Sequence, residues 1–425
     1  MTTETIFTMD TSSIKYGVGA TAEIGFEMRR LGATRVMVVT DPNLTQSDPV
    51  TKTLASLRAE GIDAVLFDRT RVEPTDTSFL EAIQFATEGG FDGYVGIGGG
   101  SAIDTAKVAN LYATYPADLL TYVNAPIGQA QPVPGPLKPL IAIPTTAGTG
   151  SETTGVAIFD LTEMHAKTGI AHRALRPVMG IVDPNNTRDM PPMVAACSGF
   201  DVLCHAIESL TALPYDQRPA PEHPSVRPAY QGANPISDTW AAKALEMTAA
   251  NIVRAVQNPE DDDARAAMLL AATYAGIGFG NAGVHLPHGM SYPVSGMVRE
   301  FRPEGYEVDH AIIPHGMSVI LNAPSVFRWT AEANPDRHLY AARLLGANTD
   351  GVDRNDAGEL LATAIIDLMR ATGMPNGLAA VGFENDDIDA LVEGTLPQHR
   401  VTKLSPRPAG PDDLRELFAG AMRYW

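Results

Sequence analysis

The stretch Asp92-Gly93-Tyr94-Val95-Gly96-Ile97-Gly98-Gly99-Gly100-Ser101-Ala102-Ile103-Asp104 reads as a strand, a glycine-rich turn and the start of a helix. Without side chains at Gly98, Gly99 and Gly100 the backbone can approach a phosphate closely, and the N–H groups of the turn and helix terminus can bind a diphosphate. Ser101 either caps the helix or bonds a phosphate oxygen. A plain tight turn between strand and helix is the alternative reading of the same glycines. Working outward, Arg35 to Thr40, Ala64 to Asp68, Gly93 to Ile97 and Pro139 to Ile143 are short apolar runs. Amphipathic stretches such as Ser47 to Glu60 and Thr77 to Thr87 lie between them. This alternation predicts βαβ units and a parallel sheet.

Two further loops follow strands of that pattern. Asp41 ends the run Val38-Val39-Thr40, where an acidic side chain accepts hydrogen bonds from a ribose and repels a 2′-phosphate; it also fits a turn-forming Asp before Pro42. Pro144-Thr145-Thr146-Ala147-Gly148-Thr149-Gly150-Ser151-Glu152 packs hydroxyls and glycines into one loop, suited to a nucleotide or, in the bland alternative, a Thr/Gly connector. Beyond the proline-rich loop 126–139, Gly155 to Asp160, Thr168 to Ala171 and Gly180 to Val182 are expected as hairpin-like strands closing the first domain. The prolines at 184, 191 and 192 put the boundary there, giving an α/β domain over residues 1–191.

After Pro192 the character changes to long Ala/Leu-rich amphipathic stretches: Met193 to Ala212, Ser237 to Gln257, Asp262 to Gly276, His338 to Leu345, Asp356 to Thr372 and Pro411 to Arg423. These predict an all-α domain over residues 192–425. A proline-rich insertion, Leu213 to Pro235, separates its first two helices. Bulk composition sets limits. Of 425 residues 44% are hydrophobic and 19% charged, so a large core can form, and the formal net charge of −19 argues against nucleic acid or an anionic membrane as partner. An anionic substrate would need a local cationic pocket. With only two cysteines, no disulfide framework is expected and a reducing compartment fits. The N-terminus shows no secretory signal, and no apolar run reads as long enough to span a bilayer. A cytoplasmic protein is the resulting expectation.

Asp201 and His205 fall four residues apart on an expected helix, so they share a face about one turn apart. Downstream, His288 and His315 each open a His-Gly-Met unit. One carboxylate and three imidazoles form a donor set suited to Fe(II) or Zn(II). A plain hydrogen-bonded Asp/His pair is the competing reading. His285, close to His288, is read as lining the pocket.

At this point the residues resemble the iron-containing alcohol dehydrogenases. The resemblance rests on GIGGGSAIDTAK, IPTTAGTGSE, DVLCHAIE, the two His-Gly-Met units and NPISD at Asn234 to Asp238. It implies a dehydroquinate synthase-like fold, with an N-terminal dinucleotide-binding α/β domain and a C-terminal helical metal-binding domain, and a metal and nicotinamide between them. It implies metal binding by Asp201, His205, His288 and His315. It implies NAD contacts at Asp41, Gly99, Gly100, Ser101, Asp104, Thr145, Thr146, Thr149 and Lys167, beside Gly98 of the turn. A narrower resemblance, in GNAGVHLPHGMSYPVSG, RPAYQGANPISD, LAAVGF and GTLPQHRVTKLSPRP, is to the hydroxyacid-oxoacid transhydrogenases of that family. Those enzymes move a hydride from a hydroxy acid such as 4-hydroxybutyrate to an oxo acid such as 2-oxoglutarate through bound NAD. Many family members carry a histidine where Tyr292 stands, so the usual proton relay is altered here. Tyr292 either orients substrate and relays a proton or packs its ring. Carboxylate substrates need fixed cations, and Arg218 and Arg227 in the insertion are the candidates, each open to a plain surface ion pair instead. A homo-oligomer is implied. The rival readings are an NAD-linked alcohol dehydrogenase that releases NADH, a dehydroquinate synthase-like lyase, and a non-enzymatic binding protein.

Overall fold

The apolar runs of the N-terminal half become parallel strands. In the computed structural model, which describes residues 2–164 and 166–425, the strands are β1 (Ser13–Tyr16), β2 (Arg35–Val39), β3 (Asp63–Phe67), β4 (Gly93–Gly98), β5 (Leu140–Pro144), β6 (Val156–Leu161), β7 (Ala166–Ala171) and β8 (Met179–Val182). Six of them form one sheet in the order β1-β8-β5-β4-β2-β3, all pairings parallel. Helices α1 (Ile24–Arg30), α2 (Asp48–Ala59), α3 (Asp76–Gly89) and α4 (Gly100–Thr114) alternate with its strands. Period-two alternation sends Val36, Val38, Val95 and Ile97 into one buried cluster and Met37, Val39, Phe67 and Tyr94 into another, so both faces are covered.

Two details differ from the sequence reading. Of the three strands expected to close the domain, β6 and β7 form an antiparallel hairpin; β8, expected with them, runs in the parallel sheet between β1 and β5. Strand β1 was not anticipated, because its four residues SIKY are only partly buried and carry no apolar run.

The second unit is helical: α5 (Pro192–Thr211), α6 (Pro235–Gln257), α7 (Asp262–Ala282), α8 (Leu286–Gly296), α9 (His315–Ile320), α10 (Ala323–Thr330), α11 (Pro335–Leu344), α12 (Ala357–Ala371), α13 (Ile388–Thr395), α14 (His399–Thr402) and α15 (Pro411–Ala421). Local chemistry starts the long ones. Asn234 accepts from the N–H groups of Ile236 and Ser237, with Pro235 at the first position of α6. Asp261 caps α7, followed by Asp262 and Asp263 in its first turn. Between α7 and α8 the chain bends by 105°. Gly283, with φ of +97°, supplies a backbone conformation there that other residues resist.

The compact units are Thr11–Met190, and Met1–Asp10 with Pro191–Trp425. Residues 2–10, expected in the α/β domain, thus group with the helices. Glu4 pairs with Arg227, the Thr8 N–H donates to Gln231 and the Asp10 N–H to Asn281. Contrary to the sequence expectation, α5 is long and apolar enough to cross a membrane by length and composition, yet most of it is buried inside its unit. Its one face of acidic and imidazole side chains gives it another use.

Candidate metal centre and nucleotide loops

Helix α5 carries Asp201, His205 and Glu208, spaced so that all three share one face. Helix α8 brings His288 and α9 begins with His315. The close approach of α9 to α5 depends on Gly316, where a Cβ would lie 1.9 Å from the Cys197 carbonyl oxygen. The result is a converging set. Asp201 Oδ1 lies 3.5 Å from His205 Nε2, 3.5 Å from His288 Nε2 and 3.6 Å from His315 Nε2. One donor atom from each of the four residues falls within 4.8 Å of every other.

These contacts are long for hydrogen bonds. Four ligands at about 2.1 Å around a tetrahedral ion sit roughly 3.4 Å apart, close to the separations of Asp201 Oδ1 from the three imidazole nitrogens. Asp201 Oδ1 and His288 Nε2 are both buried without a hydrogen-bond partner, which a folded protein avoids unless something else satisfies them. The residues therefore fit a divalent ion. His205 stacks on Phe279 at 3.8 Å between centroids, which holds its ring plane.

Glu208, fully buried, was quoted in the sequence motif but given no role. Its Oε2 contacts His288 Nδ1, and its Oε1 accepts the backbone N–H of His285 at 2.8 Å and of His288 at 3.2 Å. A carboxylate behind a histidine fixes the tautomer that leaves Nε2 free as a ligand. The seven-residue spacing from Asp201 was the signal that could have found it. Electrostatics follow the same geometry. Burial opposes charge on His288, but Glu208 and Asp201 outweigh it and raise its pKa to about 10. Burial, with His288 and His315 adding to it, overrides Asp201 and pushes His205 down to about 3. Burial disfavours the Asp201 anion, yet the three imidazoles hold it well below the usual carboxylate range. An ion binding here must displace the His288 proton.

The other candidates of this unit are placed differently from expectation. His285 has no exposed surface, where a pocket-lining ring would show some. Its Nε2 lies 2.9 Å from Thr211 Oγ1, and burial lowers its pKa to about 4, so it is a neutral support at the start of α8. Arg227 donates to Glu4 at 3.0 Å. Arg218 is partly buried and its carbonyl accepts the Glu4 N–H; burial lowers its pKa, against the pull of the Glu4 carboxylate. The Arg227 side chain is thus tied to the N-terminal segment, and Arg218 meets that segment through its backbone. Tyr292, 4% exposed, accepts a hydrogen bond from Arg400 Nη2 at 2.7 Å.

In the α/β unit, three loops leave the adjacent strands β2, β4 and β5 at their carboxyl ends, the edge where open parallel sheets bind ligands. Gly98 has φ of +148° and lies beside Asp41; a Cβ on Gly100 would meet Thr149 at 2.6 Å, and one on Gly99 would meet Thr146 at 3.4 Å. The Thr145 N–H donates to the Gly98 carbonyl. So Asp41, Gly98–Gly100 and Thr145–Thr149 are brought together at the start of α4, with Ser101 in its first turn. Asp41 Oδ1 caps the N–H of Asn43, the turn role foreseen as its alternative. Ser101 Oγ accepts the Glu73 N–H at 3.2 Å. Asp104 is held by Ser151, Lys107 and the Ile158 N–H, and Lys167 by Glu73 and Asp160. The last two side chains serve internal networks of the unit.

With this geometry in place, comparisons with known proteins agree. A family model described as "Iron-containing alcohol dehydrogenase" matches residues 11–184, and one described as "Fe-containing alcohol dehydrogenase family, C-terminal" matches residues 229–422. A Bos taurus protein named hydroxyacid-oxoacid transhydrogenase, mitochondrial, is 54% identical over 426 residues, covering 100% of this chain and 91% of its own. Among solved structures, a 1,3-propanediol oxidoreductase superposes with a TM-score of 0.86 at 28% identity, over 98% of this chain and 100% of its own. A sulfoacetaldehyde reductase from Bifidobacterium kashiwanohense in complex with NAD+ gives 0.79 at 25% identity, over 98% of both chains. The expected cytoplasmic location is overturned by the mitochondrial relatives. Its basis was weak in kind, because scarce thiols mark a reducing compartment and the mitochondrial matrix is one as well as the cytosol. The expected fold class stands, since a parallel-sheet unit followed by a helical unit matches these neighbours over nearly the whole chain, and the chain belongs to the iron-containing alcohol dehydrogenase family.

Proposed function

We propose that this chain is a hydroxyacid-oxoacid transhydrogenase, converting 4-hydroxybutyrate and 2-oxoglutarate to succinate semialdehyde and 2-hydroxyglutarate with NAD kept bound. The observation that carries the reading is full-length identity of 54% to a protein of that name, joined to the four-residue donor set. When bound, Fe(II) supplies a Lewis acid for the hydroxyl or keto oxygen, and NAD supplies the hydride acceptor and donor. The family name favours iron over Zn(II), which the same donors would also accept.

The chain's own residues do the rest. Asp201 contributes the one anionic donor, and His205, His288 and His315 contribute neutral imidazole nitrogens. Glu208 takes the Nδ1–H of His288 and aims its Nε2. The backbone of Gly98, Gly99 and Gly100 and the N-terminus of α4 would hold the diphosphate. Asp41, beside Gly98, would accept from a ribose hydroxyl and repel a 2′-phosphate. Thr145, Thr146 and Thr149 offer hydroxyls beside the same turn. One site serves both organic substrates in succession, which gives ping-pong kinetics.

The test uses 4-hydroxybutyrate deuterated at the carbinol carbon, with 2-oxoglutarate and no added nucleotide. Deuterium at C2 of 2-hydroxyglutarate is the expected result. Turnover that stops until NAD is supplied, with NADH accumulating in solution, would establish an ordinary alcohol dehydrogenase instead.

A further inference from the structure

A protein of net charge −19 that handles carboxylates must hold a cation somewhere near its reacting centre; of the two insertion arginines, Arg227 is paired with Glu4, and Arg218 meets the N-terminal segment through its backbone. A different arginine meets the requirement. Arg400 sits on the short helix α14. Its Nη2 donates to the Tyr292 hydroxyl at 2.7 Å, and its guanidinium carbon lies 5.1 Å from the centroid of the Tyr230 ring. Its Nη1 is buried and has no hydrogen-bond partner. Among the described residues no carboxylate pairs with it. A partly buried guanidinium met by the hydroxyl of Tyr292 and by the ring and hydroxyl of Tyr230 lacks the anion that would offset its desolvation.

Two separate routes tie this cation to the metal-ligand set. Along α8, Tyr292 follows His288 by four residues and so stands one turn away on the same face. Across the helices, the His205 ring stacks on Phe279, Phe279 meets Tyr230 edge-on at 6.4 Å, and Tyr230 lies under Arg400. The placement is built in. A Cβ on Gly289, the residue after His288, would meet Thr402 of α14 at 2.7 Å, so α14 docks on α8 only because that position is glycine. Val401 anchors α14 with no exposed surface.

We infer that Arg400 binds the carboxylate that the two substrates have in common. In 4-hydroxybutyrate the carboxyl carbon is three bonds from the carbon that gives up the hydride; in 2-oxoglutarate the distal carboxyl carbon is three bonds from the keto carbon that receives it. One cation at one fixed distance from the metal ligands therefore serves both half-reactions. The planar fork of Arg400 suits this role, with Nη2 held by Tyr292 and Nη1 left to donate to a carboxylate oxygen. Tyr292, which accepts from Arg400, is a positioning residue for the guanidinium. This assignment rests on the proposed transhydrogenase reading for the identity of the substrates, and not for the anion site itself.

The experiment compares the iron-loaded wild type with Arg400→Leu and Arg400→Lys. In steady state, Arg400→Leu is expected to raise KM for both 4-hydroxybutyrate and 2-oxoglutarate by on the order of 100-fold, and Arg400→Lys by roughly 10-fold, because the lysine keeps charge without the fork. KM for 4-hydroxybutyramide, which lacks the charge, should stay within about 2-fold, and metal content and melting temperature should be unchanged. A parallel calorimetric titration with glutarate, a dicarboxylate that cannot react, should show binding by the wild type and loss of it in Arg400→Leu. If the activity reading fails while glutarate still discriminates the variants, the anion site stands and the reaction must be reassigned. Equal KM changes for the acid and its amide in a folded, iron-replete variant, or undiminished glutarate binding, would overturn the assignment.

Discussion

Nδ1 of His288 rests against Glu208 while Nε2 of the same ring stands 3.5 Å from Asp201 Oδ1, so one imidazole links a fully buried carboxylate to the donor cluster. Replacing Glu208 by Gln keeps an acceptor for the backbone N–H groups of His285 and His288 but removes the charge behind the ring. Affinity for Fe(II) should fall about 10- to 100-fold. Competition with a chelator of known affinity measures it. Unchanged affinity would reduce Glu208 to a packing group.

Gly316 makes the approach of α9 to α5 possible. Gly316→Ala would drive a methyl into the Cys197 carbonyl, and α9 must retreat with His315. We expect a loss of about 1–3 kcal/mol in stability from overpacking, together with weaker metal retention. Thermal melts with and without Fe(II) separate the two: the metal-induced rise in melting temperature should shrink in the variant.

Asp41 both caps the Asn43 N–H and stands beside Gly98. Asp41→Asn preserves the cap and removes the charge, so the turn should survive while the barrier to a 2′-phosphate falls. Discrimination between NAD and NADP in nucleotide titrations should narrow by roughly 10-fold, about 1.4 kcal/mol. An intact preference would move the selectivity to another residue.

Lys167, almost fully buried, lies between Glu73 and Asp160. Burial disfavours its charge, but the two carboxylates outweigh that and raise its pKa. Lys167→Met should leave the carboxylates facing each other and cost about 1–3 kcal/mol, since both retain some solvent contact. If instead Lys167 contacts the nucleotide, as the family resemblance implies, NAD affinity will fall with little change in the denaturation midpoint.

Glu27 provides a pH-dependent test away from the site. Burial raises its pKa, but Lys15 and Arg30 outweigh this and the net shift is downward. A carboxylate with a depressed folded pKa adds stability that is present above its unfolded value near 4.5 and lost as pH falls through the folded value. The stability gap between wild type and Glu27→Gln should therefore be full at pH 6 and close on acidification below about pH 4.5. A gap constant with pH would mean that packing, not charge, accounts for it.

The parts of this molecule that could be read from the sequence are those with a long or repeated signal. Runs such as Arg35–Val39 declare buried strands, and α5, α6 and α7 show sustained helical periodicity. The Asp201/His205 pair was readable because four-residue spacing is a helical neighbour relation. Short elements escaped: α9 has six residues and α14 four, too few for a period, and α8 contains Pro293. Glu208 was overlooked because its partners, His285 and His288, arrive from some 80 residues downstream. Arg400 lies inside GTLPQHRVTKLSPRP, a stretch that carries the narrower resemblance, but nothing in it singles out this arginine; only the docking of α14 on α8 shows that, among the described residues, no carboxylate pairs with it. Arg227 takes the plain ion pair foreseen as its alternative, with Glu4, a residue 223 positions away that nearness to α5 in sequence does not reveal.

The donor set also acts as a cross-link. Its members come from α5, α8 and α9, so an ion held by Asp201 and His315 closes a chain loop of more than a hundred residues, and a ligand that binds only the native arrangement shifts unfolding by mass action. The helical unit then behaves as a clasp whose pin is the metal. Iron supply would set the survival of this part of the polypeptide as well as its chemistry, and iron-starved protein would present the region around α9 to proteases first.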